Sequence, residues 1–282
     1  MLVLKGGELY ERFTKTSLQI QAELAELLNG MTIRPWSPGD AQEIYDVLEH
    51  PNWAPWLEAS AKTLAARANV FPQGQLIMTD GFGKYAASLS LNQIDWNGNI
   101  SHLPTWDEVA GDPTDYSTTY KPTGNTLVLL SMNVSPAYKG LQLPSKMIDA
   151  AVIVAKSLTV DHLIGSFRPS GFGEAKKESG HELDFEHYCM TTQPNSTKPV
   201  DPWLRSLWWK GMQMLAVDPK AMTVIVTSPE LVHYQHVYKP SSWNEVKPGT
   251  WECGEVGAWI IDGQMGKATY QESNIWGALP LP

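Results

Sequence analysis

The sequence predicts an α/β fold built around one mixed sheet, and three observations carry that prediction. Two continuous apolar runs, "TLVLLSMNV" at 126–134 and "HLIGSFRP" at 162–169, flank a long helical pattern ending "KMIDAAVIVAK". Strands buried on both faces read in this uninterrupted way, and a strand–helix–strand crossover of this length makes its two strands parallel. Upstream, "QLIMTDGFGKYAASLSLNQIDW" holds two apolar runs on either side of Asp80-Gly81, the signature of an antiparallel hairpin. Parallel and antiparallel pairs therefore share one sheet. Capped helical segments around these strands supply the second layer.

The flanking elements follow in order. Residues 9–28 place Leu18, Leu24, Leu27 and Leu28 near one helical face, and Asn29-Gly30 ends the run, so residues 1–30 are expected to form a helical extension. A short strand at Thr32 meets Pro35, and "SPGD" opens a helix reaching about Leu48. An alanine-rich helix follows from about Ala59 to Asn69. Residues 97–125 lack periodicity, yet Trp106, Tyr116 and Tyr120 argue against disorder, and loops this long are usually functional. Further on, "DPWLRSLWWKGMQMLAV" suggests one helix started by Asp201-Pro202. "AMTVIVT" and "WECGEVGAWII" read as strands, with a short helix capped at Ser228-Pro229-Glu230. No linker composition separates the halves. Residues 31–282 are expected to form a single domain, elaborated from about residue 170 onward, whose second half extends the same sheet.

Composition excludes several functions. The 282 residues carry 30 acidic against 21 basic side chains, net −9, with no basic block for a nucleic-acid partner. The opening "MLVLKGGELYERF" has too short an apolar run for a signal peptide, and nothing approaches a membrane span, so a cytoplasmic protein is expected. Cys189 and Cys253 fit neither a metal nor a redox spacing. "HELDFEH" has its second histidine misplaced for a zinc site, and His233 with His236 lacks a third ligand, so no metal is expected. Twelve tryptophans, seven of them after residue 200, concentrate aromatic mass in the second half.

The crossover loop is where chemistry is expected. "VSPAYKGLQLPSK" joins a strand end to a helix start, where unpaired N–H groups and the helix dipole favour an anion. The element order over residues 31–168 resembles the GNAT (GCN5-related N-acetyltransferase) superfamily. That resemblance implies a mixed, mostly antiparallel sheet with a parallel splayed strand pair and flanking helices. It also implies acetyl-CoA or another short acyl-CoA as co-substrate, its pyrophosphate wrapped by the loop. In the family this loop is Arg/Gln-x-x-Gly-x-Gly/Ala; here Lys139, Gln142 and Pro144 stand at those positions, so only the basic residue keeps its character. Gly140, Leu141, Leu143 and Ser145 complete the expected cradle. "RPSGFGEAK", "DPWLR", "AMTVIVTSPE" and "ESNIWG" are similar to GNAT-like acyltransferase and decarboxylase domains of polyketide-synthase loading modules. The histidine some of them carry after DPWLR is Leu207 here.

The resemblance implies an acyltransferase acting on an amine or a carrier-protein thiol, with a malonyl-type thioester decarboxylase or a non-catalytic acyl-CoA module as alternatives. The strand before the cradle commonly holds a carboxylate base; here its polar residues are Ser131 and Asn133, and their backbone neighbours Met132 and Val134 are expected oxyanion donors. That absence tilts the expectation toward a thiol, which needs less help losing its proton. Asp107 and Glu108 in "TWDEVAG" can supply a base if their loop folds over the site, a solvated face being the plainer account. Tyr188 stands where the family often places the acid for the leaving thiolate, and Tyr138 beside the cradle is a second candidate. Trp36, Trp106 and Arg168 are candidate substrate contacts, Arg168 needing a carboxylate or phosphate partner if buried. Arg205 is expected to pair with Asp201.

Overall fold

The computed structural model describes residues 30–282. The helix expected within residues 9–28 lies outside them. Ten strands form one sheet: β1 (Thr32–Pro35), β2 (Gln75–Thr79), β3 (Tyr85–Ile94), β4 (Thr126–Val134) and β5 (His162–Phe167), then β6 (Gln213–Thr227), β7 (Asn244–Lys247), β8 (Thr250–Glu252), β9 (Ala258–Asp262) and β10 (Lys267–Leu279). Their order is β1-β2-β3-β4-β5-β10-β9-β8-β7, with β6 paired to β10. Only β4 and β5 run parallel. The crossover and the hairpin predict a mixed sheet, and the fold is the largely antiparallel form with one parallel pair that the family resemblance implies.

The first half forms for local reasons. Asp80 Oδ1 accepts the N–H groups of Phe82 and Lys84, both at 2.9 Å, and closes the β2–β3 hairpin. All of β3 is buried because it lies mid-sheet with helices over it. α2 (Ala61–Val70) opens on a Ser60 cap whose hydroxyl accepts from Thr63 N. Before it, α1 (Ala41–Ile44) passes into a π turn over Tyr45–Glu49, in which His50 N donates to Tyr45 O. That extra residue per turn brings both Leu48 and Glu49 inward, whereas a continuous 3.6-residue period separates them. The crossover helix α4 (Leu143–Leu158) buries Met147, Ile148, Ala151 and Val154 on the sheet.

Four expectations for the second half are corrected. The helix begun at Asp201 is only α7 (Pro202–Trp209), because Gly211 adopts φ +79° and turns the chain into β6. β6 therefore begins at Gln213 rather than at Ala221, with Pro219 seated at an irregularity in the β6–β10 pairing. "WECGEVGAWII" is two strands, β8 and β9, separated at Gly254 with φ +79°. β10, which the sequence reading did not identify as a strand, is the joint of the sheet: residues 275–279 pair with β5 and 267–271 with β9. Smaller helices complete the chain: α3 (Trp106–Ala110), α5 (Phe172–Glu178), α6 (Phe185–Met190) and α8 (Ser228–Val237). No described helix is long and apolar enough to cross a membrane.

Candidate active site

β4 and β5 pair only from Thr126/His162 to Leu129/Gly165, although β4 continues to Val134 and β5 to Phe167. Beyond Leu129 the strands part. A register shift on the other side of β4, between the Ser90 and Leu91 pairings, marks a bulge at Leu130. The opening leads into a cavity of about 630 Å³. Ser135 N donates to Ala86 O, which by antiparallel alternation turns the N–H groups of Ser131 and Asn133 toward β3. The N–H groups of Met132 and Val134 then point away from β3, into the opening.

One mouth of the cavity is the crossover loop. Lys139 and Pro144 line it. α4 begins without a side-chain cap, and its N-cap Gln142 is left-handed, φ +56° and ψ +26°. Gly140 is also left-handed at φ +85°, with open space around it. The uncapped first turn leaves backbone donors for an anion, except at Pro144, which has none. Leu143 is buried beneath the loop while Leu141 is exposed.

The opposite wall is built from side chains. Glu49, Trp53, Trp56, Trp106 and Asp107 line it, with Met222 and Val224 from β6. Glu49 is almost fully buried: Oε1 accepts from Ala59 N at 2.8 Å and Oε2 from Asn133 Nδ2 at 2.6 Å. Burial pushes its carboxyl up, against those bonds and the nearby Arg67 charge. Asn133 Oδ1 takes the Trp53 indole N–H at 2.7 Å, so the Asn133 amide bridges Glu49 and Trp53. Ser131 also lines the cavity.

Asp107 enters through α3, which Thr105 and Glu108 start with a capping box. Glu108 is thereby a cap on an exposed edge. Asp107 Oδ2 accepts Thr223 N–H at 2.7 Å, and Trp106 N donates to Asp218 Oδ2 at 3.0 Å, pinning α3 over β6. Burial, with the Asp218, Glu272 and Glu108 charges and against the Thr223 bond, pushes the Asp107 carboxyl up to about 6. Trp106 lines the cavity, its indole N–H on Leu130 O at 2.9 Å.

Arg168 lines the cavity, but its guanidinium is already engaged, with Glu255 at 2.6 Å and Glu272 at 3.0 Å. Burial works against its charge, and Glu272, Tyr270 and Glu255 outweigh that and hold it cationic. Behind it, Trp56 and Trp259 meet edge-on at 5.4 Å in an aromatic cluster with Tyr234, Tyr238 and Tyr270.

Several expected site residues lie elsewhere. Tyr188 is not at the cavity: it packs on Phe172 and donates to Asp201 Oδ2 at 3.1 Å, and burial and Asp201 push its phenol up. Trp36 is a core residue under α2, its indole N–H on Leu64 O at 3.3 Å. Tyr138 donates to Asp80 rather than toward the opening. Arg205 binds the carbonyls of Pro199 and Val200, because Asp201 caps α7. Among the described residues no group of acidic, histidine or cysteine side chains could hold a metal ion.

No family model and no curated protein matches the sequence. Solved structures do. The loading GNATL domain of CurA from Lyngbya majuscula superposes with a TM-score of 0.57 at 17% identity, over 68% of this chain and 88% of that one. The GphF GNAT-like decarboxylase, in complex with isobutyryl-CoA, gives 0.54 at 20% identity, over 67% and 90%. At these identities the likeness is one of fold, and that fold is the GNAT fold.

Proposed function

We propose that the protein is an acyl-CoA-dependent acyltransferase. The observation that carries this reading is the cavity at the β4–β5 divergence, with an uncapped helix start and Lys139 at one mouth. Coenzyme A pyrophosphate would rest on backbone donors of residues 139–145, and Lys139 would screen its charge. The thioester carbonyl would then lie against β4, where the Met132 and Val134 N–H groups stabilise the tetrahedral oxyanion. GphF, with the same fold, is described in complex with isobutyryl-CoA, which supports a short acyl-CoA as co-substrate. The acceptor side is an aromatic and acidic chamber of a size for a small molecule or a pantetheine arm.

Decarboxylation of a malonyl-type thioester is the second reading, favoured by the description of GphF as a decarboxylase and by donors that would equally stabilise an enolate. The charges around the cavity are mixed: Glu49, Glu58 and Asp107 share its lining with Arg67 and Lys139, while Arg168 is taken by two glutamates. Calorimetry with coenzyme A is expected to give a micromolar dissociation constant, about −8 kcal/mol. No heat and no thermal shift at millimolar coenzyme A would sink both readings, and a non-catalytic acyl-CoA module with them. Release of acetyl-CoA from malonyl-CoA would establish the second reading over the first.

A further inference from the structure

Four buried side-chain atoms at the cavity have no hydrogen-bond partner, and they fall into two sets. Arg67 Nε and Trp56 Nε1 are donors, whereas Asn274 Oδ1 and Ser166 Oγ can accept. Native interiors seldom leave such groups unsatisfied without a reason.

Arg67 is the most informative of the four. It is 4% exposed, on the inner face of α2. Its Nη1 donates to Ser90 Oγ at 3.3 Å, and that hydroxyl donates in turn to Gln75 Oε1 at 2.7 Å. The Tyr116 ring centre lies 5.8 Å from its Cζ. The guanidinium is thus held from one side, while Nε and Nη2, the edge that makes a two-pronged donor, bond no described residue. Other buried cations have carboxylates in contact: Arg168 has Glu255 and Glu272, and Lys176 has Glu252. Arg67 has none among the described residues. Glu49 feels its charge, but Ala59 N and Asn133 Nδ2 occupy the two Glu49 oxygens, and burial pushes that carboxyl toward its neutral form. The other lining carboxylates are also engaged, Glu58 by Tyr45 and His50 and Asp107 by Thr223 N–H. A buried cation is costly without an anion, and a carboxylate has the two oxygens that this edge fits.

Resting on the acyltransferase reading, we infer that the acceptor side of the cavity is a binding site for an organic acid, with its carboxylate on Arg67 and a hydroxyl or N–H donor at its far end for Ser166 and Asn274. The position of Arg67 separates this acid from the acyl group. The thioester proposed above lies on the β5 side of β4, whereas Ser90 is on β3, across β4 from it. Neighbouring strands are about 4.8 Å apart. A carboxylate one carbon from the thioester, as in a malonyl group, falls short of that gap. A separate molecule is under no such limit. Ser90 on β3 and Ser166 on β5 are two strand spacings apart, roughly 10 Å, which sets the length of the acid. Trp53, Trp56 and Trp106 line the same space and suit an aromatic body, and the Trp56 N–H adds a donor of the kind an anion uses.

The test is calorimetry on the whole chain, first with coenzyme A and then with three probes added to the coenzyme-saturated protein. The probes are 3-(4-hydroxyphenyl)propionate, its uncharged primary amide, and 3-phenylpropionate, which lacks the phenol. The hydroxy acid is expected to bind on the order of thirtyfold more tightly than its amide and several-fold more tightly than 3-phenylpropionate. Arg67→Met should erase the preference for acid over amide. Arg67→Lys, which keeps the charge without the fork, should retain part of it. Asn274→Leu should erase the advantage of the phenol and leave the preference for acid over amide in place, a split that a merely structural role would not produce. Equal affinity for acid and amide in the parent chain, a preference that survives Arg67→Met, or competition between the acid and coenzyme A would each overturn the inference. The parent comparison decides even if Arg67→Met does not fold. Coenzyme A binding without acid binding would overturn it while leaving the acyltransferase reading intact. Arg67-dependent acid binding in a chain that takes up no coenzyme A would remove that reading and uphold the carboxylate site.

Discussion

The two walls of the cavity are made in opposite ways. The wall proposed for the coenzyme, residues 139–145, is a loop that offers backbone: an uncapped helix start and two left-handed residues, with Leu141 facing solvent. The wall proposed for the acceptor is side chain throughout, with a buried Trp56, a doubly paired Arg168, Glu49 held by two hydrogen bonds and Asp107 by one. A wall of backbone donors tolerates many sequences, because any residue except proline supplies an N–H. A wall of buried side chains tolerates few. Stability is therefore expected to respond to the acceptor wall, and coenzyme affinity to the loop.

The largest effect should come from Trp259→Ala, which removes a fully buried ring from the aromatic cluster. A loss of about 4 kcal/mol in urea unfolding is expected, with coenzyme A affinity retained by the folded fraction. If affinity falls as well, the two walls are not separable. Arg168→Met should cost about 3 kcal/mol, because Glu272 and Glu255 lose their shared cation. Next comes Asp107→Asn, with the opposite sign. Its carboxyl sits at about 6 in the fold against an ordinary 3.8, so ionising it removes stability as pH rises through that window. The variant should match the parent below pH ~4 and exceed it by about 1 kcal/mol above pH ~6, after allowance for solvent screening. Thermal melts across that range check the sign. Smallest is Gln142→Gly: relieving a left-handed side-chain residue should stabilise by about 0.5 kcal/mol net of glycine's entropy. It should also tighten coenzyme A binding a few-fold. Weaker binding would show that the Gln142 side chain itself touches the coenzyme.

The same contrast governs what the sequence disclosed. β2 to β5 and α4 were legible because local periodicity and one Asp-Gly turn determine them. The loop at 139–145 is expected to meet a ligand from the strand–loop–helix order together with the likeness to the GNAT superfamily, and the structure puts Lys139 and Pro144 in the cavity lining. β10 escaped because "KATYQESNIWGAL" mixes polar and apolar residues, as a strand paired on both edges but covered unevenly does. Glu49 escaped because a π turn, invisible to a constant helical period, brings it inward. Asp107 was seen as a candidate, but its position depends on bonds to Thr223 and Asp218, more than a hundred residues away. Tyr188 and Trp36 show the converse: an aromatic at a suggestive place in the chain is more often a wedge in the core.

β10 carries a consequence for how the molecule comes into being. It follows the other nine described strands in chain order, yet it lies between β5 and β9 and contributes Asn274 and Glu272 to the region around the cavity. Until a ribosome has released it, β5 has a bare edge, Arg168 lacks Glu272, and the acceptor chamber has no floor. Nascent chains should consequently expose an unpaired sheet edge and depend on chaperones during that interval. The cavity would be completed in one event, when β10 pairs with β5, rather than by degrees.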